Sequence, residues 1–201
     1  MKKIYYSLII STLSITAFAQ NSVNDTIDMQ PSYVKQVYYN LENGTKTAIN
    51  NDSWDIAFNT RDNKSASIIS NYGTSVYIYP NGDTSAYNGT IDTSGISTWE
   101  AVHNDVENWD NGSFNIPSTN QTFDYGWGIY DMISHYVNGH IFYIIKTKNG
   151  NYKKLWFQQL NDLGEYTIVY ADLDGSNAQT LNFKRSDYSN YLMAHYSIDN
   201  N

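Results

Sequence analysis

The chain has 201 residues, enough for one domain of ordinary size, and its 20 acidic against 12 basic side chains give a formal net charge of −8. This balance argues against nucleic acid and anionic membrane surfaces as partners, because both bind through clusters of Lys and Arg. The sequence contains no cysteine, which excludes disulfides, thiolate metal sites and a lipid-modified N-terminal cysteine.

Residues 1–19 have the pattern of a signal peptide. Two lysines precede an apolar, hydroxyl-rich run, and Ala17-Phe18-Ala19 fits the small-x-small rule for signal peptidase. The run is too short and too rich in serine for a membrane-spanning helix, and no later segment is long and apolar enough to span. We therefore predict an exported protein that is periplasmic, associated with the cell surface or extracellular.

Residues 20–32 are polar and without periodicity, and we predict a flexible leader there. A single β domain is expected over residues 33–201. Alternating apolar, β-branched and aromatic residues predict its first strands at 33–41, 45–49, 54–58, 67–70 and 75–79. In the third of these, Trp54, Ile56 and Phe58 share one face and Asp55 and Ala57 the other, which predicts a half-buried strand.

From residue 84 to residue 123 the pattern loosens, and Gly, Asn, Ser and Asp become frequent. The one helix candidate is 97–109, where four apolar residues recur at roughly helical spacing. Forty residues without clear strands are long for a compact domain, and such excursions are usually functional or mobile. His103 lies in the middle of this segment. Its plain interpretation is an exposed polar residue on a short helix.

The region after residue 140 predicts a β-hairpin, with strands at 141–147 and 152–157 joined by a turn at Asn149-Gly150. Further strands are expected at 166–171 and 180–183. Between these two strands, Asp172-Leu173-Asp174-Gly175-Ser176-Asn177 favours a tight turn over a calcium loop, because glycine falls at position four and no bidentate Glu follows.

The C-terminal residues 194–201 resemble 37–44, so either both ends supply similar edge strands or the chain stops where a second copy would begin. Taken together, the strands predict an all-β protein of mainly antiparallel sheets, with long loops and little helix.

Residues 124–140 carry the most distinctive side chains. Trp127, Tyr130, Met132, His135 and His140 crowd a glycine-punctuated segment, and imidazoles and a thioether held on a loop among aromatic rings are able to ligate iron. In the plain alternative, Trp127 and Tyr130 are core aromatics and both histidines are loop residues. A zinc site built on the two histidines requires a bent loop, because residues five apart face opposite sides of a strand.

No motif in the sequence indicates catalysis. A G-x-S-x-G nucleophile motif and a phosphate-binding glycine loop are both missing, and the many aspartates and aromatic residues permit a glycosidase without indicating one. We therefore predict that the protein is not an enzyme.

Four motifs in order resemble the HmuY family of exported haem-binding proteins of Gram-negative bacteria. They are Trp54-Asp55-Ile56-Ala57-Phe58, the Trp-x-x-Tyr-Asp-x-x-Ser-His-x-Val pattern at 127–137, the segment 144–155 and the Tyr-Ala-Asp-Leu-Asp-Gly run at 170–175. The likeness extends over about residues 38–197. Members of the family typically carry a lipobox cysteine after the signal peptide, which this chain does not have.

The resemblance implies a mostly β fold that holds haem between loops at one end through two axial His or Met ligands. Carried over residue by residue, it offers His103 in the loop-rich middle as one ligand, and Met132 or His135 after Trp127 as the other. Trp99, Trp109, Trp127 and Tyr130 lie near these candidates in sequence and are candidates for the porphyrin walls.

The function implied is that of a haemophore, which takes haem from host haem carrier proteins and passes it to an outer-membrane haem receptor. The alternative from another class is an exported adhesin or glycan-binding module, whose aromatic rings stack on sugars and which makes no use of the histidines. This alternative predicts exposed, coplanar Trp and Tyr side chains.

Overall fold

The computed structural model describes residues 22–61, 65–108 and 110–200, so the predicted signal peptide and Trp109 lie outside the described residues. Within these ranges the helical segments are short 3₁₀ turns, at Pro31–Tyr33, Thr84–Asn88, Ile96–Thr98 and Arg185–Tyr188. None of the helices in these ranges has the length and apolar character needed to cross a membrane. The predicted all-β class with little helix is confirmed.

The described residues form thirteen strands. They are β1 (Lys35–Tyr39), β2 (Lys46–Asn50), β3 (Ile56–Asn59), β4 (Ile68–Ser70), β5 (Ser75–Ile78), β6 (Ala101–Val102), β7 (Gly128–Tyr130), β8 (Val137–Gly139), β9 (Tyr143–Lys146), β10 (Tyr152–Leu160), β11 (Glu165–Asp172), β12 (Gln179–Lys184) and β13 (Met193–Tyr196). Every predicted strand has a counterpart among them, and each strand pairing is antiparallel.

The largest sheet has eight strands. Six of them follow the order β12-β11-β10-β9-β5-β6, and the β7–β8 hairpin joins this path through β8, which pairs with the end of β10 at Leu160 and Val137. The predicted β9–β10 hairpin is confirmed: Thr147 N donates to Asn151 O at 2.8 Å, and Gly150 adopts a φ of +91° in the turn. The end of the long strand β10 thus holds the β7–β8 hairpin in place through its pairing with β8.

A three-stranded sheet, β13-β3-β4, packs on this large sheet. Phe58 of β3 stacks on Phe183 of β12 with ring centroids 4.4 Å apart, and also contacts Phe157 and Tyr166. Both sheets therefore contribute to one apolar core. The strand at 54–58 is buried on both faces, so the prediction of a half-buried strand was wrong for Asp55 and Ala57.

Asp55 is 2% exposed because it ties three parts of the chain together. Its carboxylate accepts hydrogen bonds from Lys148 N in the β9–β10 turn, at 3.0 Å, and from Ile198 N near the C-terminus, at 2.7 Å. Its own backbone N–H donates to Tyr196 O on β13. A buried carboxylate is tolerated when backbone donors satisfy it in this way.

The helix predicted over 97–109 does not form, and this prediction was wrong. A 3₁₀ turn ends at Thr98, Trp99 is extended, and residues 101–102 form β6, which pairs with β5. Trp99 packs edge-on against Tyr77, which lies in β5, and against Tyr79, which follows β5 directly. Strand pairing and aromatic contacts with β5 therefore override the local helical spacing.

The tight turn predicted at 172–177 is confirmed by a hydrogen bond from Gly175 N to Asp172 O at 2.9 Å. At the ends, β1 belongs to a two-stranded sheet and β13 closes one side of the three-stranded sheet, so both similar segments are edge strands. The leader residues 22–32 are exposed and lie against the β1–β2 hairpin, where Lys46 Nζ contacts Thr26 O at 2.7 Å.

Candidate functional site

The β7–β8 loop, residues 131–136, is held in one shape by hydrogen bonds between its own groups. Asp131 N donates to Tyr136 O at 2.7 Å, and His135 N donates to Asp131 O at 2.8 Å. The Asp131 carboxylate accepts from Ile133 N at 2.8 Å, and this bond lowers the pKa of the carboxyl group. A short hairpin with a closed loop therefore fixes the direction of the side chains that the loop carries.

The His135 side chain of this loop is oriented by a hydrogen bond to a neighbouring tyrosine. Its Nδ1 lies 2.6 Å from Tyr130 Oη, and its backbone has a φ of +61°, a conformation that few residues other than glycine adopt. When Nδ1–H donates to the tyrosine oxygen, the Nε2 lone pair remains available as a metal ligand. The exposed ring keeps that nitrogen accessible.

A cavity of about 580 Å³ lies beside His135. This volume falls within the range of small-molecule and cofactor pockets. Its lining combines aromatic and aliphatic side chains with an imidazole, a guanidinium, an amide and a carboxylate: Ala66, Phe123, Tyr125, Tyr130, Val137, Leu160, His135, Arg185, Asn161 and Asp162. An apolar cavity with a few polar groups at defined positions suits a large, flat apolar ligand that also carries charge.

Met132 occupies a different position on the same loop. It is 68% exposed, stands next to Ile133, which is 93% exposed, and is not part of the cavity lining. Of the two sequence candidates after Trp127, His135 therefore reaches the cavity, whereas Met132 lies at the tip of the loop.

His103 follows β6 directly and is held in place through its neighbour. The Asn104 side chain accepts from Ser70 N and Ser113 N, at 3.0 Å each, and donates to Ser70 O at 2.7 Å. The His103 ring is exposed, has no hydrogen-bond partner among the described residues, and lines a cavity of about 330 Å³. Asn104 thus anchors the backbone while the imidazole stays available.

A third cavity, of about 410 Å³, lies next to both histidine cavities and shares lining residues with each. It shares Asn111, Asn115 and Pro117 with the cavity of His103, and Ala66 and Tyr125 with the cavity of His135. The structure therefore places the two histidines in different cavities, each of which borders the third. Within the described ranges no group of three His, Asp or Glu side chains forms a metal site.

The family model for the HmuY protein matches residues 32–170. The chain belongs to the HmuY family. At the level of the family, this supports an exported, haem-binding protein. No curated protein and no solved structure gives a significant match to the chain. The match includes both histidines and the β7–β8 loop but ends before β12 and Arg185.

The side chains of the cavity beside His135 fit haem. An imidazole Nε2 is an axial ligand for the iron, aromatic and aliphatic walls suit the porphyrin faces, and a guanidinium suits the propionate carboxylates. Haem iron takes one or two axial protein ligands and needs no cluster of three, and this cavity supplies one of them through His135.

The aromatic residues predicted as porphyrin walls are distributed differently. Tyr130 lines the cavity and is partly exposed, whereas Trp127 is fully buried and its Nε1 donates to Ala66 O at 3.0 Å. Ala66 lines two of the three cavities, so Trp127 supports the cavity floor from within the core of the HmuY fold. Trp99 packs on Tyr77 instead.

Neither of the other two histidines lines these three cavities. His140 Nε2 lies 3.2 Å from Ser118 Oγ, and burial lowers the pKa of its imidazole. His195 Nε2 lies 2.8 Å from Tyr38 Oη, its ring packs on Trp54, and burial also lowers its pKa.

Sequence reasoning missed Phe123, Tyr125 and Arg185. Phe123 directly precedes the segment 124–140 that was singled out and Tyr125 lies within it, so their position in the sequence was a usable signal. Arg185 lies 50 residues beyond His135 and had no such signal, because only the pairing of β11 with β12 brings it to the cavity.

Proposed function

We propose that this protein binds haem in the cavity beside the β7–β8 loop, with His135 as one axial ligand of the iron. The observation that carries the proposal is the pair formed by His135 and Tyr130 on an aromatic cavity, in a chain of the HmuY family. The tyrosine holds the imidazole in one orientation, which lowers the entropy lost when a ligand is bound.

The second axial ligand in this proposal is His103. Its exposed ring and the family resemblance support it, and the cavity that it lines has a neighbour in common with the cavity of His135. Met132 is the competing candidate for the position of His135, since it lies three residues before His135 on the same loop. A bis-histidine haem and a His/Met haem differ in reduction potential, which is higher with methionine, so the two cases are separable.

The physiological role that we propose is capture and transfer of haem, with host haem carriers as donors, an outer-membrane haem receptor as acceptor, and no catalysis. Both candidate imidazoles are exposed and stand on loops over a rigid sheet, and such an open site permits a ligand to enter and leave. Family membership supports an exported haem-binding protein but does not name the donor or the acceptor.

The alternative of a glycan-binding module finds less support. It requires exposed tryptophan or tyrosine platforms, but Trp54 and Trp127 are buried, and Trp99 and Trp156 are only partly exposed. No tryptophan in the described ranges therefore offers an open stacking surface. Exposed tyrosines do occur, at Tyr33, Tyr72 and Tyr191, but they are widely separated in sequence and are not stacked on one another.

Titration of the chain from Gln20 onward with haemin tests the proposal. We expect a saturable one-to-one Soret shift, strongly weakened binding for His103→Ala and His135→Asn, and little change for Met132→Ala. Asn is chosen at position 135 because it tolerates a positive φ. His140→Gln serves as the control. A featureless, unsaturable titration of the unmodified chain contradicts haem binding, and unchanged binding by His103→Ala contradicts its role as ligand.

A further inference from the structure

Phe123 combines a strained backbone with a half-exposed aromatic ring on the cavity beside His135. Its φ is +65°, in the left-handed region that a bulky residue rarely adopts, and its side chain is 47% exposed. An exposed phenyl ring leaves apolar surface in water, and the backbone conformation adds a further cost in free energy. The fold thus keeps at this cavity a residue that is unfavourable for the stability of the unliganded chain on both counts.

The strained conformation is held by hydrogen bonds of the residue itself and of the residue that follows. Phe123 O accepts from Tyr130 N at 3.2 Å, which connects this residue to β7. The carboxylate of Asp124, the next residue, accepts from Thr119 N and from Gly126 N, each at 2.8 Å, and so closes the turn. A strained residue persists where the surrounding structure fixes it in this way.

The phenyl ring lies on the part of the cavity wall that also carries the proposed iron ligand. It stands edge-on to the Tyr130 ring, with the centroids 5.9 Å apart, and Tyr130 Oη is the group that contacts His135 Nδ1. All three side chains line the same cavity. Since His135 also has a positive φ, two strained residues contact one tyrosine at one cavity. Backbone strain clusters at ligand-binding positions, which points to a binding role for the ring.

We propose that Phe123 packs on the face of the porphyrin and supplies a part of the haem affinity that does not depend on iron. This inference rests on the haem site proposed above. The bond from His135 requires the metal, whereas contact with an aromatic ring requires only the flat macrocycle. The half-exposed ring loses its remaining contact with water when the macrocycle covers it, and this burial favours binding.

The test compares haemin with protoporphyrin IX, which has the same macrocycle and carboxylates but no iron. For the unmodified chain we expect saturable binding of both compounds, with haemin the tighter because the bond to iron adds to its affinity. For Phe123→Asn we expect both affinities to fall by a similar factor, on the order of tenfold, as loss of a buried aromatic side chain predicts. Asn is chosen because it tolerates a positive φ.

The unfolding temperature separates a binding role of Phe123 from a structural one. Without a ligand, Phe123→Asn should unfold at a temperature no lower than that of the unmodified chain, because relief of the strain outweighs loss of the edge-on contact with Tyr130. If Phe123→Asn does not fold, as circular dichroism reports, the affinities of Phe123→Gly carry the test, since glycine also accepts this φ.

Tyr33→Asn is the matched control. Tyr33 is also an exposed aromatic residue with a positive φ, of +55°, but it lies in the 3₁₀ turn before β1 and lines none of the three cavities. Its replacement therefore removes an exposed ring and a strained residue at a distant position in the fold. This variant should keep the full affinity for haemin and for protoporphyrin IX.

Unchanged haemin affinity in Phe123→Asn, or in Phe123→Gly where that variant is used, overturns the inference. A loss of haemin affinity that protoporphyrin IX does not share also overturns it, as does a lower unfolding temperature of Phe123→Asn. If the unmodified chain binds haemin but not protoporphyrin IX, the inference is wrong and the haem site stays intact. Failure of the unmodified chain to bind haemin saturably is a different result, and it contradicts the proposed function itself.

Discussion

Two histidines of this protein each contact a tyrosine hydroxyl through one ring nitrogen, in very different surroundings. His135 Nδ1 lies 2.6 Å from Tyr130 Oη, and His195 Nε2 lies 2.8 Å from Tyr38 Oη. The first pair stands on a closed hairpin loop beside a cavity. The second pair joins two edge strands, with the imidazole packed on the Trp54 ring at 4.5 Å.

The residues around each His–Tyr pair therefore determine what the pair does in the protein. In the second pair, Tyr38 of β1 and His195 of β13 connect the N-terminal hairpin to the three-stranded sheet, and Trp54 Nε1 adds a hydrogen bond to Gln36 Oε1 at 3.0 Å. In both pairs one ring nitrogen of the histidine contacts the tyrosine oxygen and the other is outside that contact. Of the two histidines, His135 lines a cavity with the volume of a cofactor pocket, which is what a ligand to bound iron requires.

The largest effect is expected when each histidine is replaced by asparagine, because one replacement should change haemin affinity and the other the free energy of unfolding. His135→Asn should weaken haemin binding by at least about a hundredfold, because loss of a direct ligand exceeds the effect of losing its hydrogen-bond partner. His195→Asn should bind haemin normally but lose about 1–2 kcal/mol of unfolding free energy, from the lost hydrogen bond and ring contact. Haemin titration and urea unfolding measure both quantities. If His195→Asn binds haemin more weakly than the unmodified chain, His195 is not a purely structural residue and the contrast between the two histidines is wrong.

Removing the tyrosine hydroxyls should give a smaller version of the same contrast. Tyr130→Phe should weaken haemin binding roughly tenfold and shift the reduction potential of the bound haem, since the partner of a ligating imidazole tunes its orientation and basicity. Tyr38→Phe should leave both unchanged and cost about 1 kcal/mol of stability. A potential that is identical in Tyr130→Phe and the unmodified chain shows that this hydroxyl does not act on the ligand.

The sequence predicted the sheets well because strand signals are local. Alternation and the Asn149-Gly150 turn are enough to place β9 and β10. The site depends on distant contacts, such as the hydrogen bond from Trp127 to Ala66 across 61 residues and the pairing that brings Arg185 to the cavity. The helix expected at 97–109 does not form for the same reason, because Val102 pairs with Val76 of β5, which is distant in sequence.

The family motifs also gain a physical meaning that sequence alone could not supply. Asp55 of the Trp-Asp-x-Ala-Phe motif was predicted on an exposed face, and instead its carboxylate accepts backbone hydrogen bonds from Lys148 and Ile198. Those partners lie far away in sequence, so the spacing of the motif gave no sign of them. His135, by contrast, was predicted as a ligand candidate from its own motif, and whether it ligates iron stays a prediction.

Acidification should produce the smallest effect. Burial lowers the pKa values of His195 and His140, so in the folded state both bind a proton less readily than in the unfolded state. Stability is therefore highest above the ordinary histidine pKa of about 6.5, and it falls as the pH drops below that value towards the folded pKa values.

Thermal unfolding at about pH 7.5 and about pH 5.5 checks this expectation. His195→Gln and His140→Gln should each lose less stability between the two conditions than the unmodified chain does. If the pH dependence is the same in all three proteins, these histidines do not contribute to it.

The most direct test of the central claim is near-infrared magnetic circular dichroism of the ferric haem complex, because the energy of the charge-transfer band depends on the pair of axial ligands. With His103 and His135 as ligands, we expect the low-spin band of a bis-histidine haem, and we expect it to disappear in His135→Asn. A His/Met band that disappears in Met132→Ala contradicts the assignment of His135, and a high-spin spectrum contradicts the pairing of His103 with His135.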